Sequence, residues 1–236
     1  MAKIIRILLI SIFSIIILIS SYLILKELQD NKNQRQTYRD IEQVIKPTGE
    51  DLKRDIRPLF SKNQDFIAWI NIPGTKLDYP VVHTPYQPEK YLKLDFYQKY
   101  SRYGVPFLDG RSTLESDNLI IYGHNMKDGT MFAPMKKFLQ EDFFQEHSLI
   151  ELETREGIIH FEIFALLTID AFHPWYDFIE NTQQEDYHKA VHSILKDNQY
   201  KTEINIEEDH RFLTLSTCHG KDRDGRMVII AKEVKK

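Results

Sequence analysis

One cysteine, Cys218, stands in the chain, at the end of the segment Arg211-Phe-Leu-Thr-Leu-Ser-Thr-Cys218. With one thiol no intrachain disulfide forms, and neither a four-cysteine zinc site nor an iron–sulfur cluster can be built from this chain alone. What remains is free-thiol chemistry: a nucleophile for acyl transfer, provided a base or a cation assists it. Period-two alternation puts Phe212, Thr214, Ser216 and Cys218 on one face of a strand and Leu213, Leu215 and Thr217 on the other. A free cysteine is commonly a small buried hydrophobe, whereas this one borders the polar loop His219 to Gly225, where a thiol is partly exposed. Position alone does not lower a thiol's pKa, so a structural and a functional reading both stand.

The loop is short enough to join Phe212–Thr217 and Met227–Val234 as antiparallel neighbours, which brings Arg226 to the rim that carries Cys218. There a guanidinium fork could hold a developing oxyanion or a peptide carbonyl. The competing reading is a solvated hairpin charge, as expected of Lys221 and Arg223.

A nucleophilic thiol is most often paired with histidine. His188 and His192 lie on a helix that already has an apolar face, His160 lies in a strand, and His83, His147, His173 and His210 sit in polar contexts. His124 differs, because it follows the apolar strand Leu119–Tyr122 through Gly123 and opens the polar loop Asn125-Met-Lys-Asp-Gly129. His219, next to the thiol on an extended segment, points to the other face. A zinc site of His124, His219 and Cys218 lacks a close-spaced ligand pair; neither metal nor cofactor is expected.

These three residues need a scaffold that presents strand ends. Strands are expected over Phe66–Ile72 and Leu77–Val82, joined at Pro73-Gly74, and over Val105–Leu108, Asn118–Tyr122, Leu149–Thr154 and Ile158–Ile169, besides the two at the thiol. Helices are expected over Met131–Phe144 and over Thr182–Asn198, the latter with Tyr187, Ala190, Val191, Ile194 and Leu195 on one face. Strands outnumber helices without βαβ alternation, which favours a closed or nearly closed barrel. A net charge of -4 and 42% hydrophobic residues argue against both a nucleic-acid-binding and a disordered chain.

Residues 7–25 form a 19-residue run without charge, Gly or Pro, roughly 29 Å as a helix and so long enough to span a bilayer. The run exceeds a typical signal-peptide apolar region and lacks an evident small-residue cleavage site, which favours a retained anchor. Lys3 and Arg6 place residues 1–6 in the cytoplasm and the remainder outside. Residues 26–60 then read as a helical spacer, with a short helix broken at Pro47 and Gly49 and a second over Glu50–Phe60. Residues 61–236 read as the main domain.

Thr214-Leu-Ser-Thr-Cys218, the arginine in Gly225-Arg-Met-Val228, Tyr122-Gly-His-Asn125, Ile67-Ala-Trp-Ile70 and Asp78-Tyr-Pro-Val81 together resemble the sortases, class B in particular. The resemblance runs from about residue 35 to the C-terminus. It implies a mainly β fold: an eight-stranded sortase barrel with N-terminal helices and a helix between the sixth and seventh strands, preceded by one transmembrane helix. It implies a cysteine transpeptidase in which Cys218 attacks the Thr carbonyl of a C-terminal sorting signal, His124 protonates the leaving amine and Arg226 stabilises the oxyanion. The acyl group would pass to an amine of a peptidoglycan precursor or cross-bridge. Ser216 resembles a position that class B members use to contact substrate or support the thiol; with Thr217 it is expected to bind substrate. The aromatic Asp-Pro lid and second span usual in pilus-building class C enzymes are not found, although some class B members polymerise pilins. Two other readings fit a single thiol on an anchored domain. A papain-like wall hydrolase places Cys before His, often at a helix N-terminus; a non-catalytic anchored module would use Arg226 to bind an anionic ligand.

Overall fold

The computed structural model describes residues 2–46, 54–180, 184–200, 210–220 and 224–234. It contains β1 (Phe66–Asn71), β2 (Asp78–Val82), β3 (Phe107–Leu108), β4 (Asn118–Tyr122), β5 (Leu149–Thr154), β6 (Ile158–Asp170), β7 (Phe212–Cys218) and β8 (Gly225–Glu233). They close into a barrel in the order β1-β2-β3-β4-β7-β8-β6-β5. The pairs β2–β3 and β4–β7 are parallel and the others antiparallel.

Most strands lie where alternation puts them. The expected third strand shortens to two residues, because Pro106 has no N–H to give to a ladder and Val105 donates instead to the Tyr91 carbonyl at 3.1 Å. The expected helix over Met131–Phe144 is two pieces, a 3-10 turn at Ala133–Leu139 and α3 at Glu141–Glu146; Gln140 is extended between them. Numbering helices in chain order, α1 is Ala2–Val44, α2 is Leu59–Lys62 and α4 is Gln184–Asp197. On α4, Tyr187, Ala190, Val191 and Ile194 are buried as expected, but Leu195 is 46% exposed; it lies at the edge of the apolar stripe.

The interior has its own polar support. The Trp175 indole donates to the Thr214 hydroxyl (2.9 Å), which donates to Asn118 Oδ1 (2.7 Å), while Asn118 Nδ2 donates to the Phe178 carbonyl (2.8 Å). Around this relay pack Phe164, Phe178, Tyr187 and Phe212. The connection after β6 is thereby fixed to β4 and β7, because a buried polar group left without its partner is costly.

The chain divides into two compact units, Met1–Gln43 and Val44–Lys236. The first is nearly all of α1, which runs without a break where a span and a separate short helix were expected. Residues 26–44 contain neither Gly nor Pro and are rich in Lys, Gln, Glu and Arg, all good helix formers. Side-chain bonds at i,i+4 support it, Gln29 to Asn33 at 2.8 Å and Gln36 to Asp40 at 2.7 Å. Its apolar N-terminal part is long and hydrophobic enough to cross a membrane, with a mean hydropathy of 2.8 over 18 residues; a signal sequence passes the same test. The expected break at Pro47 and Gly49 and most of the expected helix over Glu50–Phe60 lie outside the described residues; within the rest, only Leu59 and Phe60 are helical, as the start of α2.

Candidate active site

Parallel pairing of β4 with β7 assembles the site. Tyr122 lies opposite Ser216, and parallel neighbours end on the same side of a sheet. Two residues further along each strand come His124 and Cys218, so both emerge at one rim. The adjoining β8 runs the opposite way and starts there, with Arg226 directly opposite Cys218, as the short loop predicts. Lys221 and Arg223 lie outside the described residues.

All three side chains line a cleft of about 620 Å³, whose walls include Leu92, Phe107, Asp109, Arg111 and Tyr122. The Cys218 thiol is exposed. The two strand ends are stitched together: Gly123 N–H donates to the Ser216 carbonyl (3.1 Å), the Thr217 hydroxyl to the Gly123 carbonyl (2.7 Å), and Asn125 Nδ2 to the Cys218 carbonyl (2.7 Å). Such bonds hold Cys218 and His124 in register through the backbone of the two strand ends. Gly123 is needed for space, since a Cβ there would lie 2.6 Å from the Phe132 ring.

His124 is held through Nε2, 2.8 Å from the Leu92 carbonyl oxygen. The Arg226 guanidinium donates to the Gly225 carbonyl at 3.0 Å. Ser216 and Thr217, the expected substrate contacts, both line the cleft but have internal partners. The Ser216 hydroxyl pairs with that of Tyr176 at 2.8 Å, and Thr217 bonds Gly123 as described. Tyr176 was not foreseen; it lies in a 3-10 turn, Pro174–Asp177, whose short irregular sequence carries no periodic signal. Burial pushes its phenol up to about 12, with the Ser216 bond and the nearby Arg226 charge working against that rise.

A second network lies in the cleft wall. Arg111 grips Asp109 with two bonds of 3.0 Å and donates to the Tyr176 carbonyl at 2.8 Å, while the Tyr122 hydroxyl donates to Asp109 at 3.0 Å. Burial would raise the Asp109 carboxyl, but the bonds from Arg111 and Tyr122 prevail and hold it below the usual carboxylate range. Burial and the adjacent carboxylate push the Tyr122 phenol upward. Both tyrosines thus stay neutral, and Tyr122 is a donor to Asp109. Among the described residues no three His, Cys, Asp or Glu side chains cluster as metal ligands.

A thiol, an imidazole and a guanidinium at one rim of a closed barrel can open an amide by acyl transfer. The sortase domain matches residues 70–234. The chain belongs to the sortase family. It is similar to the protein named Sortase B of Listeria monocytogenes serovar 1/2a (strain ATCC BAA-679 / EGD-e), 33% identical over 233 residues that span 94% of this chain and 93% of the relative. Among solved structures, the sortase resembles Clostridium perfringens sortase B with a TM-score of 0.71 and 31% identity, covering 77% of this chain and 100% of that one. It also resembles a Staphylococcus aureus sortase B–substrate complex, with a TM-score of 0.73 and 25% identity over 89% of this chain and 99% of that one. The eight-stranded barrel, with α4 between the sixth and seventh strands, is the sortase B fold. The family assignment sets aside the papain-like reading.

Proposed function

We propose that this sortase is a membrane-anchored transpeptidase that cleaves a C-terminal sorting signal after Thr and transfers the acyl group to a cell-wall amine. Cys218 gives up its proton to His124 and its sulfur attacks the Thr carbonyl carbon, forming a C–S bond as the carbonyl π electrons move onto oxygen. Arg226 stabilises the oxyanion of the tetrahedral intermediate, and its collapse breaks the C–N bond as His124 protonates the leaving amine. An acceptor amine then attacks the thioester, passes its proton to His124 and releases the thiolate of Cys218. Ser216 and Thr217 bound the substrate's path beside the thiol. Residues 1–6 are cytoplasmic, residues 7–25 span the membrane and residues 61–236 form the catalytic unit outside, where surface proteins meet peptidoglycan.

The supporting observation is the parallel register of β4 and β7, which delivers His124 and Cys218 to one cleft opposite Arg226. The test is product analysis by mass after incubation with x-Pro-x-Thr-Gly and x-Pro-x-Thr-Asn peptides, with and without an amine acceptor. Cleavage after Thr with amine-dependent adducts is expected, and Cys218→Ala abolishes it. Arg226→Ala should lower the rate about 100-fold or more, and Arg226→Lys should restore only part, since an ammonium does not reproduce the fork. Hydrolysis indifferent to the amine would contradict transfer, and wild-type rates in Arg226→Ala would remove that residue from the mechanism.

A further inference from the structure

Neutral imidazole has one N–H and one lone pair, so a histidine that moves protons works best when one ring nitrogen is held and the other is left to react. In this chain the holding group is the Leu92 carbonyl, 2.8 Å from His124 Nε2. A carbonyl only accepts, so Nε2 carries the hydrogen and Nδ1 is the atom available to exchange a proton.

Leu92 itself belongs to no strand. It ends a 3-10 turn, Lys90–Leu92, within the long connection between β2 and β3. That turn is tied to the barrel through Tyr91, which is fully buried. The Tyr91 hydroxyl donates to Asp65 Oδ2 at 2.8 Å and accepts from Asn63 Nδ2 at 2.9 Å. Lys90 Nζ reaches the same Asp65 oxygen at 2.7 Å, and Asn63 Nδ2 also donates to the Phe96 carbonyl at 2.8 Å. Asn63 and Asp65 immediately precede β1, so the cluster connects a loop carbonyl to the barrel wall. Gly104, at φ +62°, passes so close that a Cβ there would lie 2.5 Å from the Tyr91 carbonyl oxygen and 3.2 Å from His124 Cδ2. The ring and the turn are packed as one unit.

We infer that Tyr91, supported by Asn63 and Asp65, is a positioning residue that sets the tautomer and ring orientation of His124 through the Leu92 carbonyl. The inference rests on His124 being the acid–base group of the proposed function. Its test uses the full chain in detergent micelles, labelled with ¹⁵N-histidine, with two-bond ¹H–¹⁵N spectra taken above the imidazole titration and the His124 signals assigned by their loss in His124→Gln. The resting wild type should show a single Nε2-H tautomer. Tyr91→Phe, which keeps the ring and removes the hydroxyl, should give a mixture of tautomers and lower kcat about tenfold with KM changed less than twofold, because misalignment costs rate rather than binding. Asp65→Asn, which still offers Tyr91 an acceptor, should fall between the two and serves as the test if Tyr91→Phe does not fold. An Nδ1-H tautomer in the wild type would overturn the assignment. So would a variant that keeps one tautomer and wild-type kcat while only losing thermal stability. Because the tautomer is read without substrate, the expected spectra in a protein that cleaves no peptide would support the positioning role and sink the transpeptidase reading.

Discussion

Cys218, His124 and Arg226 could be singled out in the sequence because each stands where an apolar strand meets a polar loop, and all three line one cleft. Their partners were harder to foresee. The group on His124 Nε2 is a backbone carbonyl, which has no residue-type signature, and the hydroxyl on Ser216 comes from Tyr176, forty positions away. Asp109 shows how such hidden partners become measurable. Its carboxyl is held below the ordinary value of about 3.9 by Arg111 and Tyr122 despite burial. A carboxylate depressed in the folded state adds stability that is fully present above the unfolded pKa and is lost as pH falls through the folded one. Thermal unfolding midpoints should therefore drop as pH falls below about 4, and Asp109→Asn should flatten that acid limb. An unchanged acid limb in Asp109→Asn would mean that the pair with Arg111, itself half exposed, contributes nothing.

Among the elements, β4, β7 and β8 do most to build the site. Alternation located β4 and β5 to the residue, and β7 and β8 to within two residues. It did not reveal that β4 and β7 are parallel neighbours, because strands 90 residues apart in sequence leave no local trace of their pairing. Elsewhere local chemistry overrode pattern: Pro106 cut β3 to two residues and an extended Gln140 split the expected helix at Met131–Phe144. The end of β4 is also tightly packed, which gives a test. Gly123→Ala sets a Cβ 2.6 Å from the Phe132 ring, and overpacking of this kind costs about 1–3 kcal/mol. Denaturant unfolding should show a loss of that size, together with slower turnover because Gly123 also bonds Ser216 and Thr217. Full stability in the variant would show that Phe132 yields freely and that the strand end is looser than described.

At the scale of the barrel, closure explains why the cleft lies at its end. A closed sheet has no free edge to bind a chain along its side, so function falls to the loops that leave the strand ends, and three of those ends meet at one rim. Strand count and the absence of βαβ alternation already pointed to such a barrel, and the apolar run at residues 7–25 to a helix long and apolar enough to cross a membrane. What neither could convey was that α1 continues unbroken to Val44, since helix propensity alone carries it beyond the apolar part. The proposed transfer requires that Cys218 carry the acyl group. The decisive measurement is mass mapping of the full chain in detergent, quenched in acid during reaction with a sorting-signal peptide and no amine acceptor. The predicted result is a mass increase equal to the peptide's fragment ending in Thr, located on Cys218 and discharged when an amine is added. Cleavage of the peptide with no adduct, or with an adduct on another residue, would contradict it.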